Sequence, residues 1–373
     1  MCGINGFNFS AYGGSAEGRK ELIKRMNKKI QHRGPDDEGF YLDENISLGH
    51  RRLSIIDLSP NGRQPMFNED KSLALIFNGE IYNFQDLRKD LEEKGHKFHS
   101  QTDSEVILHL YEDYQENCLK FLNGIFAFAI WDIKNKELFL ARDRIGVKPL
   151  YYYHQDGRFI FSSEIKGILE HNIKREINLE AFNHYFRLLY VPAPLTMFRN
   201  IYKLPPASYF RLKNGKTEIK KYWEVENFDN LSSKQEIITE IQELMRKSIK
   251  GQLISDRPVG IFLSGGIDST SVLGIVKEFK KDKIKTFSVG FDIEDPNNKF
   301  NADFLLARQT SRFYNTEHYE LLVASKDVLE NLEKVIYHLD EPIAEPTQIA
   351  TFLLAQLAKE EVVVVLGGDG GDE

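Results

Sequence analysis

Cysteine is nearly absent from the sequence, which contains only Cys2 and Cys118. Two cysteines cannot form a disulfide framework. No cluster of cysteine and histidine has the spacing of a zinc site, since His96 and His99 have no further ligand nearby in the sequence. The chain is therefore neither a disulfide-rich scaffold nor a zinc-finger type of domain.

The sequence has no excess of positive charge. It contains 49 Lys and Arg residues and 56 Asp and Glu residues, which gives a net charge of −7. Proteins that bind a phosphate backbone need the opposite balance. No apolar run approaches the ~18 residues of a membrane-spanning helix, and the N-terminus lacks the charged and apolar regions of a signal peptide. We expect a cytoplasmic protein that binds neither nucleic acid nor membranes.

The length of 373 residues predicts two domains of ~100–200 residues each. The candidate boundary is rich in proline, with four prolines, a predicted hairpin around Asn214 and Gly215 and no long periodic element between residues 188 and 225. A capping box of Ser233 and Glu236 then opens an amphipathic helix. We predict a first domain over residues 1–205, a linker over 206–232 and a second domain over 233–373.

The first half of the sequence mixes helical and strand patterns. Apolar residues four apart predict a helix within residues 17–31, and Thr102 with Glu105 predicts a capping box at the start of another helix. Four short runs rich in aromatic residues predict antiparallel strands over 125–131, 137–142, 150–153 and 158–162. Because several runs are apolar on both faces, we expect sheets that are covered on both sides.

The second half alternates short apolar runs with helical patterns. A strand over residues 259–263 leads through a glycine-rich loop, Ser264–Ser269, into a helix. Further strands are predicted over 284–291, 317–322 and 362–366, with helices near 302–313, 328–338 and 348–360. This alternation predicts a parallel, doubly wound sheet.

Cys2 follows Met1 directly, so removal of the methionine would give a cysteine with a free α-amine. The thiolate is the reactive form of cysteine, and an α-amine with an ordinary pKa of ~7.7–8.0 can accept its proton at neutral pH. One residue would then supply both nucleophile and base for attack on an amide carbonyl. From Met1 and Cys2 alone, a cysteine at a frayed terminus is the simpler interpretation.

Two further positions in the first half are candidates for the same chemistry. Arg51 and Arg52 lie near a strand end, either as surface charges or as a planar fork that binds a ligand carboxylate. Residues 73–77 predict a buried strand that Asn78 and Gly79 break. A backbone N–H and an amide at such a break could hold an oxyanion, although an Asn-Gly pair alone is more often a turn.

Two loops of the second half are candidates for a phosphate site. The Ser264–Ser269 loop directs backbone N–H groups and the positive end of the following helix at an anion, or simply forms the corner between strand and helix. Residues 367–373 form an acidic, glycine-rich loop after a strand, at the edge where open α/β sheets bind ligands. Carboxylates there need a bridging Mg²⁺ to hold ATP phosphates; a solvated turn is the alternative.

Several motifs of the first half occur together in one order. They are Met1–Ile4, His32–Asp36, His50–Ile55, Asn78–Asn83, Thr102–Glu105 and Ala141–Asp143. This set resembles the class II glutamine amidotransferases, which are N-terminal-nucleophile hydrolases with an αββα sandwich fold. The resemblance implies that Cys2 attacks the glutamine amide while Asn78 and Gly79 form the oxyanion hole. By the same resemblance, Arg52 binds the α-carboxylate of glutamine, and Glu80 with Asp103 holds its amino group.

The second half resembles the ATP pyrophosphatases at the Ser264–Ser269 loop. By this resemblance, Asp268 and Asp372 hold Mg²⁺, and Asp369 supports the formation of an adenylate. The residues that would border ATP are Leu263, Ser264, Gly265, Gly266, Asp268, Ser269, Val289, Gly367 and Gly368.

The two halves together resemble the glutamine-hydrolysing asparagine synthetases, which join an αββα sandwich to a doubly wound α/β domain. The resemblance implies an ATP-dependent ligase that makes asparagine from aspartate through a β-aspartyl adenylate, using ammonia that Cys2 releases from glutamine.

Two alternatives remain open. One is an amidotransferase for another carboxylate, such as a sugar acid of a polysaccharide, and the other is a glutaminase or nucleotide-binding protein with an inactive second half. The sequence is compatible with a homodimer but does not determine the oligomeric state.

The chain departs from this family at two points. Gly367 stands where family members usually have serine, which removes one hydroxyl contact to the nucleotide. Family members also continue past the acidic loop, whereas this sequence ends at Glu373. We therefore expect an incomplete second half, without acceptor-binding residues and a basic side chain that assists the adenylate.

Overall fold

The computed structural model describes residues 1–12, 14–226, 233–294 and 299–371. The chain forms two units. The first comprises Met1–Asn227 and Asp340–Ile343, and the second comprises Phe228–Leu339 and Ala344–Glu373. Among the described residues, no helix has both the length and the apolar character that crossing a bilayer requires.

Antiparallel strands form the centre of the first unit. Within its described residues they are β1 (Gly3–Asn8), β2 (Asp37–Leu42), β3 (Ile46–Arg52), β4 (Met66–Phe67), β5 (Leu73–Ile81), β6 (Gly124–Asp132), β7 (Glu137–Arg142), β8 (Tyr151–Gln155), β9 (Arg158–Ser162), β10 (Ile201–Lys203), β11 (Ser208–Lys213) and β12 (Lys216–Lys221). One sheet has the order β10-β8-β9-β1-β3-β2, and the other has the order β12-β11-β7-β6-β5-β4. The helices are α1 (Ala16–Lys29), α2 (Phe84–Glu93), α3 (Glu105–Tyr114), α4 (Ile165–Ile168) and α5 (Leu179–Leu188).

The two sheets pack face to face, because apolar side chains from both contribute to one buried cluster, with Ile4 from the first sheet and Ile76 from the second. Phe7 of β1 faces the opposite way and packs in a second cluster with α1. On the outer face of the second sheet, Tyr111 of α3 contacts Phe139 of β7 with 5.1 Å between ring centroids. Helices therefore cover both outer faces. This αββα arrangement confirms the predicted fold of the first half.

Strand β5 is longer than the sequence predicted. Asn78 and Gly79 do not break it, since β5 continues to pair with β6 as far as Ile81 opposite Gly124. A side-chain carbon at Gly79 would clash with the carbonyl oxygen of Ile125. The glycine is thus required by the close approach of two strands and not by a turn.

The predicted capping box at Thr102 is also wrong. Helix α3 begins at Glu105 after the N-cap residue Ser104, which makes no side-chain capping hydrogen bond within the described residues. The Glu105 carboxylate instead accepts hydrogen bonds from the backbone N–H groups of His99 and Ser100, each at 2.8 Å. The acidic side chain therefore stabilises the loop before the helix.

The predicted linker over residues 206–232 contains regular structure. Strand β11 pairs with β7 and β12 pairs with β11, so that residues 208–221 extend the second sheet. The turn between β11 and β12 lies at Asn214 and Gly215, so the predicted hairpin is confirmed, although it belongs to the sheet and not to a linker. Residues 227–232 lie outside the described part of the chain.

The second unit is built on a parallel sheet. Its described strands are β13 (Val259–Phe262), β14 (Lys285–Phe291), β15 (Glu317–Val323) and β16 (Val364–Leu366), in the order β15-β14-β13-β16. Its helices are α6 (Lys234–Gln252), α7 (Ile267–Phe279), α8 (Ala302–Phe313), α9 (Ser325–Leu339) and α10 (Gln348–Lys359).

Helices of the second unit lie on both faces of its sheet. Ile261 of β13 packs with Leu273 of α7 and Ala307 of α8 in one buried cluster. Phe287 of β14 packs with Leu354 of α10 in another. Since all pairs in the sheet are parallel, the predicted doubly wound arrangement is confirmed. The predicted capping box of Ser233 and Glu236 at the start of α6 is also confirmed.

Candidate active sites

Cys2 lies at the start of β1, beside the end of β3. The two strands pair antiparallel with Gly3 opposite Arg51, which brings Cys2 next to Leu53. The Leu53 N–H donates to Cys2 Sγ at 3.4 Å, and Arg33 Nε donates to the Cys2 carbonyl at 2.9 Å. Both the side chain and the backbone of Cys2 are therefore held, which is not the behaviour of a frayed terminus.

A pocket at Cys2 brings together all the residues that the sequence predicted for glutamine. It is lined by Cys2, Arg52, Asn78, Gly79, Glu80 and Asp103, and also by Met1, Leu53, Gln64 and Lys148. Strands β3 and β5 and the loop before α3 supply the predicted residues. The motifs are thus distant in sequence and adjacent in space.

Asn78 is fully buried, and neither atom of its side-chain amide has a hydrogen-bond partner among the described residues. A buried polar group left unpaired costs ~1–3 kcal/mol, so such groups are rare and need a reason. Here the amide borders the pocket of Cys2. It is a donor already in place for negative charge that develops on a carbonyl oxygen.

The neighbouring arginines differ in direction. The Arg51 side chain points away from the pocket, because its Nη1 forms an ion pair with Glu38 Oε2 at 2.8 Å. Arg52 lines the pocket and is buried, with Nη1 donating to the Ser59 carbonyl at 2.9 Å and Nη2 donating to the Asp57 carbonyl. The carbonyls fix the plane of the Arg52 guanidinium beside the pocket.

Two carboxylates border the same pocket. Burial raises the pKa of Asp103 to about 7, and the charge of Glu80 adds to this rise while the Ile81 N–H, which donates to Asp103 Oδ2 at 2.8 Å, opposes it. Burial also raises the pKa of Glu80, against the opposing charge of Lys148. A cationic group of a ligand would compensate both carboxylates.

The N-terminal amine lies in the same buried region. Burial lowers the pKa of the Met1 α-amine to about 5, with the charges of Arg33 and Lys148 adding to the effect. Burial raises the pKa of the Cys2 thiol, and the hydrogen bond from the Leu53 N–H opposes the rise. At neutral pH the amine is therefore in the form that accepts a proton.

A charged network behind Cys2 was missed by sequence reasoning. Glu164 Oε1 accepts from Arg33 Nη1 at 3.0 Å and lies 2.9 Å from His32 Nε2, while Lys166 Nζ lies 2.5 Å from Glu164 Oε2 and 2.9 Å from Asp340 Oδ1. Burial alone would raise the pKa of Glu164, but the hydrogen bond with His32 and the two cations outweigh it and lower the pKa to about 2. Isolated charged residues of this kind form no sequence pattern.

The predicted phosphate site lies at the carboxyl edge of the parallel sheet, where two loops meet. Ser264 and Ser269 tie the first loop together, with 2.9 Å between their Oγ atoms and a hydrogen bond of 3.1 Å from Ser264 N to Ser269 Oγ. The acidic loop lies directly against it. A side-chain carbon at Gly368 would lie 2.7 Å from Ser269 N, and one at Gly371 would lie 2.7 Å from Asp268 Cγ. The acidic loop can approach this closely only because it consists largely of glycine.

A cavity of about 610 Å³ lies over the two loops. This size is within the ~300–1,000 Å³ of small-molecule sites. The predicted residues that line it are Leu263, Ser264, Gly266, Asp268, Ser269, Val289, Gly367, Gly368 and Asp369. Gly265 does not line the cavity; it packs against α8, since a side-chain carbon there would lie 2.6 Å from Leu306 Cβ. The lining residues that the sequence did not reveal include Phe291, Phe300, Asp303, Phe304, Thr347 and Thr351, which belong to no motif.

The chemistry of the first loop suits a phosphate that is accompanied by a divalent cation. Helix α7 begins after Gly266, which has no side chain to cap the first N–H groups of the helix. Asp268 lies in the first turn of α7 and lines the cavity, so its carboxylate would repel a phosphate unless a cation lay between them. Mg²⁺, with its preference for oxygen ligands, fits this donor. The second predicted ligand, Asp372, lies outside the described residues.

Both halves of the chain match known families. The glutamine amidotransferase domain matches residues 1–223, and asparagine synthase matches residues 240–373. A relative from Methanocaldococcus jannaschii is 40% identical over an alignment of 400 positions, which covers all of this chain and 75% of the relative. Asparagine synthetase (glutamine-hydrolyzing) 1 of Bacillus subtilis is 38% identical over 376 residues, which cover all of this chain and 58% of that protein.

The chain spans three quarters of the archaeal relative and less than two thirds of the Bacillus protein. The two family matches follow each other along the chain and carry the two sites described above. The chain belongs to the family of glutamine-hydrolysing asparagine synthetases.

Proposed function

We propose that the first site hydrolyses glutamine and that the second uses ATP to make asparagine from aspartate through a β-aspartyl adenylate. The observation that carries the proposal is the buried, unpartnered amide of Asn78 beside Cys2, because an unused donor next to a nucleophile is what an acyl-transfer site requires. Membership of the family and the cavity over the glycine-rich loops support the second activity.

Glutamine would bind by its two charged ends. The guanidinium of Arg52, fixed by two carbonyls, pairs with the α-carboxylate of glutamine. Asp103 and Glu80 compensate the α-ammonium group, which in turn stabilises their charged forms. These contacts set the side-chain amide of glutamine against Cys2.

Hydrolysis then proceeds by acyl transfer. The Cys2 sulfur attacks the side-chain carbonyl carbon, and the α-amine accepts the thiol proton and passes it to the departing ammonia. Asn78 Nδ2 and the Gly79 N–H donate to the oxyanion of each tetrahedral intermediate. Water attacks the resulting thioester, and glutamate leaves with regeneration of the thiol.

Removal of Met1 is part of this proposal. Met1 lines the pocket, and the space left beside it is about 50 Å³, far below the ~300–1,000 Å³ of small-molecule sites. Its departure would free the pocket and turn the Cys2 nitrogen into an α-amine. The Cys2 nitrogen lies in the same buried region, where burial favours the neutral form of an amine, the form that accepts a proton.

In the second unit, the phosphates of ATP would contact the Ser264–Ser269 loop and the first turn of α7. Asp268 and Asp372 would hold Mg²⁺, which neutralises charge on the phosphates. The side-chain carboxylate of aspartate attacks the α-phosphorus and pyrophosphate leaves. Ammonia then attacks the β-carbonyl carbon of the adenylate, and AMP leaves with asparagine as the product.

The test uses the chain extended past Glu373 by the segment that family members carry there, with ATP, Mg²⁺ and aspartate and with either glutamine or ammonium as nitrogen source. We expect Cys2→Ala to abolish glutamine hydrolysis, by a factor of at least about 10⁴, while asparagine formation from ammonium persists. Cys118→Ala, which changes the other cysteine, should retain both activities. Intact mass should show that the mature protein begins at Cys2.

Two results would contradict the proposal. Glutamine hydrolysis at the wild-type rate in Cys2→Ala, or in protein that retains Met1, would exclude the nucleophile or its base. Pyrophosphate release that does not depend on aspartate would exclude aspartate as the acceptor.

A further inference from the structure

Two histidines and two glutamates converge on one point in the first unit, away from the residues that line the Cys2 pocket. They are Glu69, His96, His109 and Glu112, and their four nearest ligand atoms all lie within 4.8 Å of one another. Glu69 follows β4, His96 follows α2, and His109 with Glu112 lies on α3, three residues apart and so on one helix face. The cluster joins three separate segments of the chain.

The distances between these atoms suit a single tetrahedral ion. Nδ1 of His109 lies 3.0 Å from Glu112 Oε2 and 3.5 Å from Glu69 Oε2. Nδ1 of His96 lies 3.7 Å from Glu112 Oε2 and 3.9 Å from Glu69 Oε1. Zinc bound at ~2.0–2.2 Å to four such atoms would separate them by about 3.3–3.6 Å. The two distances from His109 lie close to this range, whereas the distances from His96 are longer and would shorten when an ion binds.

The outer contacts of the cluster are those that orient metal ligands. Nε2 of His96 lies 3.1 Å from Asp113 Oδ1, which leaves Nδ1 of the same ring for the centre. Asn68 Nδ2 donates to Glu112 Oε1 at 2.7 Å, and the Lys97 N–H donates to Glu69 Oε1 at 3.0 Å. Each carboxylate therefore has one oxygen engaged outside the cluster.

His109 supplies an independent indication of a ligand. Its side chain is 1% exposed, and its Nε2 has no hydrogen-bond partner among the described residues, with Glu105 Oε1 at 3.9 Å. Its other nitrogen, Nδ1, faces two carboxylates. A cation at Nδ1 would leave Nε2–H to donate towards Glu105, the arrangement common to metal-bound histidine.

We infer that Glu69, His96, His109 and Glu112 form a structural zinc site. Imidazole nitrogens favour zinc over Ca²⁺ and Mg²⁺, which take oxygen ligands. The ion would fix the connection between α2 and α3, the segment that leads into Asp103 of the glutamine site. Sequence reasoning missed the site because His96 and His109 are thirteen positions apart on different elements, and Glu69 is farther still.

The alternative occupant is a proton. Burial alone would lower the pKa of His109, but the nearby carboxylates of Glu105, Glu112 and Glu69 outweigh burial and raise the pKa to about 9. A protonated His109 would satisfy the two carboxylates without a metal. The His96 ring also packs on His109, with 4.7 Å between ring centroids, and contacts Asp113, so a measurement of binding has to separate the two occupants.

The test measures Zn²⁺ binding by isothermal titration to chelator-treated full chain that carries Cys2→Ala, so that no pocket thiol competes. We expect one zinc per chain in addition to any weaker sites, with a rise in melting temperature on binding. His96→Gln and Glu69→Gln, which are less buried than His109, should each weaken binding by at least about 100-fold, and Asp113→Asn should weaken it by about 10- to 100-fold. His184→Gln is the matched control, because His184 pairs with a glutamate one helical turn away at 3.9 Å and lies outside the cluster.

Co²⁺ provides a second readout, since its visible absorption reports tetrahedral coordination by nitrogen and oxygen. The proposal is overturned if the parent protein binds no stoichiometric zinc, or if His96→Gln and Glu69→Gln bind it as tightly as the parent does. In either case the cluster is occupied by a proton. Circular dichroism of each variant separates loss of zinc from loss of the fold.

Discussion

Polar groups at the proposed glutamine site lie on or beside strands, whereas those at the proposed ATP site lie on loops and in helices. Asn78 and Arg52 belong to β5 and β3, and their positions are set by the strand registers and by fixed carbonyls. Ser264 and Gly368 belong to loops that hold each other through backbone contact. The first arrangement presents a few side chains in fixed geometry to a small substrate. The second offers backbone N–H groups and a cavity, which under the proposed function receive a large anion together with a cation.

The two designs predict different sensitivities. Changing one carboxylate at the ATP site should remove a whole activity, since the cation neutralises most of the charge there. Changing one side chain at the glutamine site should weaken a reaction that several groups share. The four predictions below test this difference, beginning with the largest effect.

Asp268→Asn should lower ATP-dependent pyrophosphate release by about 10³-fold or more, because a metal site worth several kcal/mol loses a charged ligand. Glutamine hydrolysis should remain at the wild-type rate. The exposed Asp282→Asn serves as the control and should change neither activity. Asp372→Asn, alone and combined with Asp268→Asn, extends the test: losses that multiply in the double variant would show that the two residues do not share one ion.

Asn78→Ala should lower kcat for glutamine hydrolysis by about 10²–10³-fold, the loss found for one oxyanion donor, with a small change in KM. Because the amide has no hydrogen-bond partner within the described residues, the free energy of unfolding should change by little more than the cost of a small cavity. Asn78→Asp keeps the shape and replaces the donor by a negative charge, so it should be at least as inactive. Equal kcat in Asn78→Asp and the wild type would exclude the assigned role.

Arg52→Lys keeps the charge and loses the planar fork. The activation free energy should rise by the ~1.5–3 kcal/mol of a charge-assisted hydrogen bond, so that kcat/KM for glutamine falls about 10- to 150-fold. Arg51→Lys is the matched control, since Arg51 pairs with Glu38 away from the pocket. Steady-state kinetics of both variants decide the assignment. A larger loss in Arg51→Lys would mean that the neighbouring arginine binds the carboxylate.

The smallest effect is a pH dependence. A carboxyl group with a pKa of about 7 is charged in about one molecule in eleven at pH 6 and in ten of eleven at pH 8. Since the charged form binds the α-ammonium of glutamine, kcat/KM should rise about tenfold between these pH values. Asp103→Asn should have lower activity and lose this rise. A slope that persists in Asp103→Asn would assign the titration to another group.

Sequence reasoning identified residues that line the Cys2 pocket because these residues fall in short, ordered runs. It failed where the cause of a structure lies outside the local run. Asn78 and Gly79 read as a turn by composition, but pairing with β6 keeps them in a strand. Glu105 read as part of a capping box, but the loop before it offered better donors. The four residues of the proposed zinc site share no periodicity, because they come from three separate segments, after β4, after α2 and on α3, that only the folded structure brings together.

The segment Asp340–Ile343 shows that the chain order of this protein is interleaved. It belongs to the first unit, where Asp340 pairs with Lys166 and Glu341 pairs with Lys203, although residues of the second unit precede and follow it. A fragment cut near residue 227 would lack both acids and leave the largely buried Lys203 with the Val191 carbonyl but without a carboxylate, a loss on the order of 3–5 kcal/mol. Recombination between relatives at that point would join Lys203 of one parent to Glu341 of the other, so the two residues of an ion pair would come from different proteins. A chimera must carry two pieces of sequence to transplant one folded module.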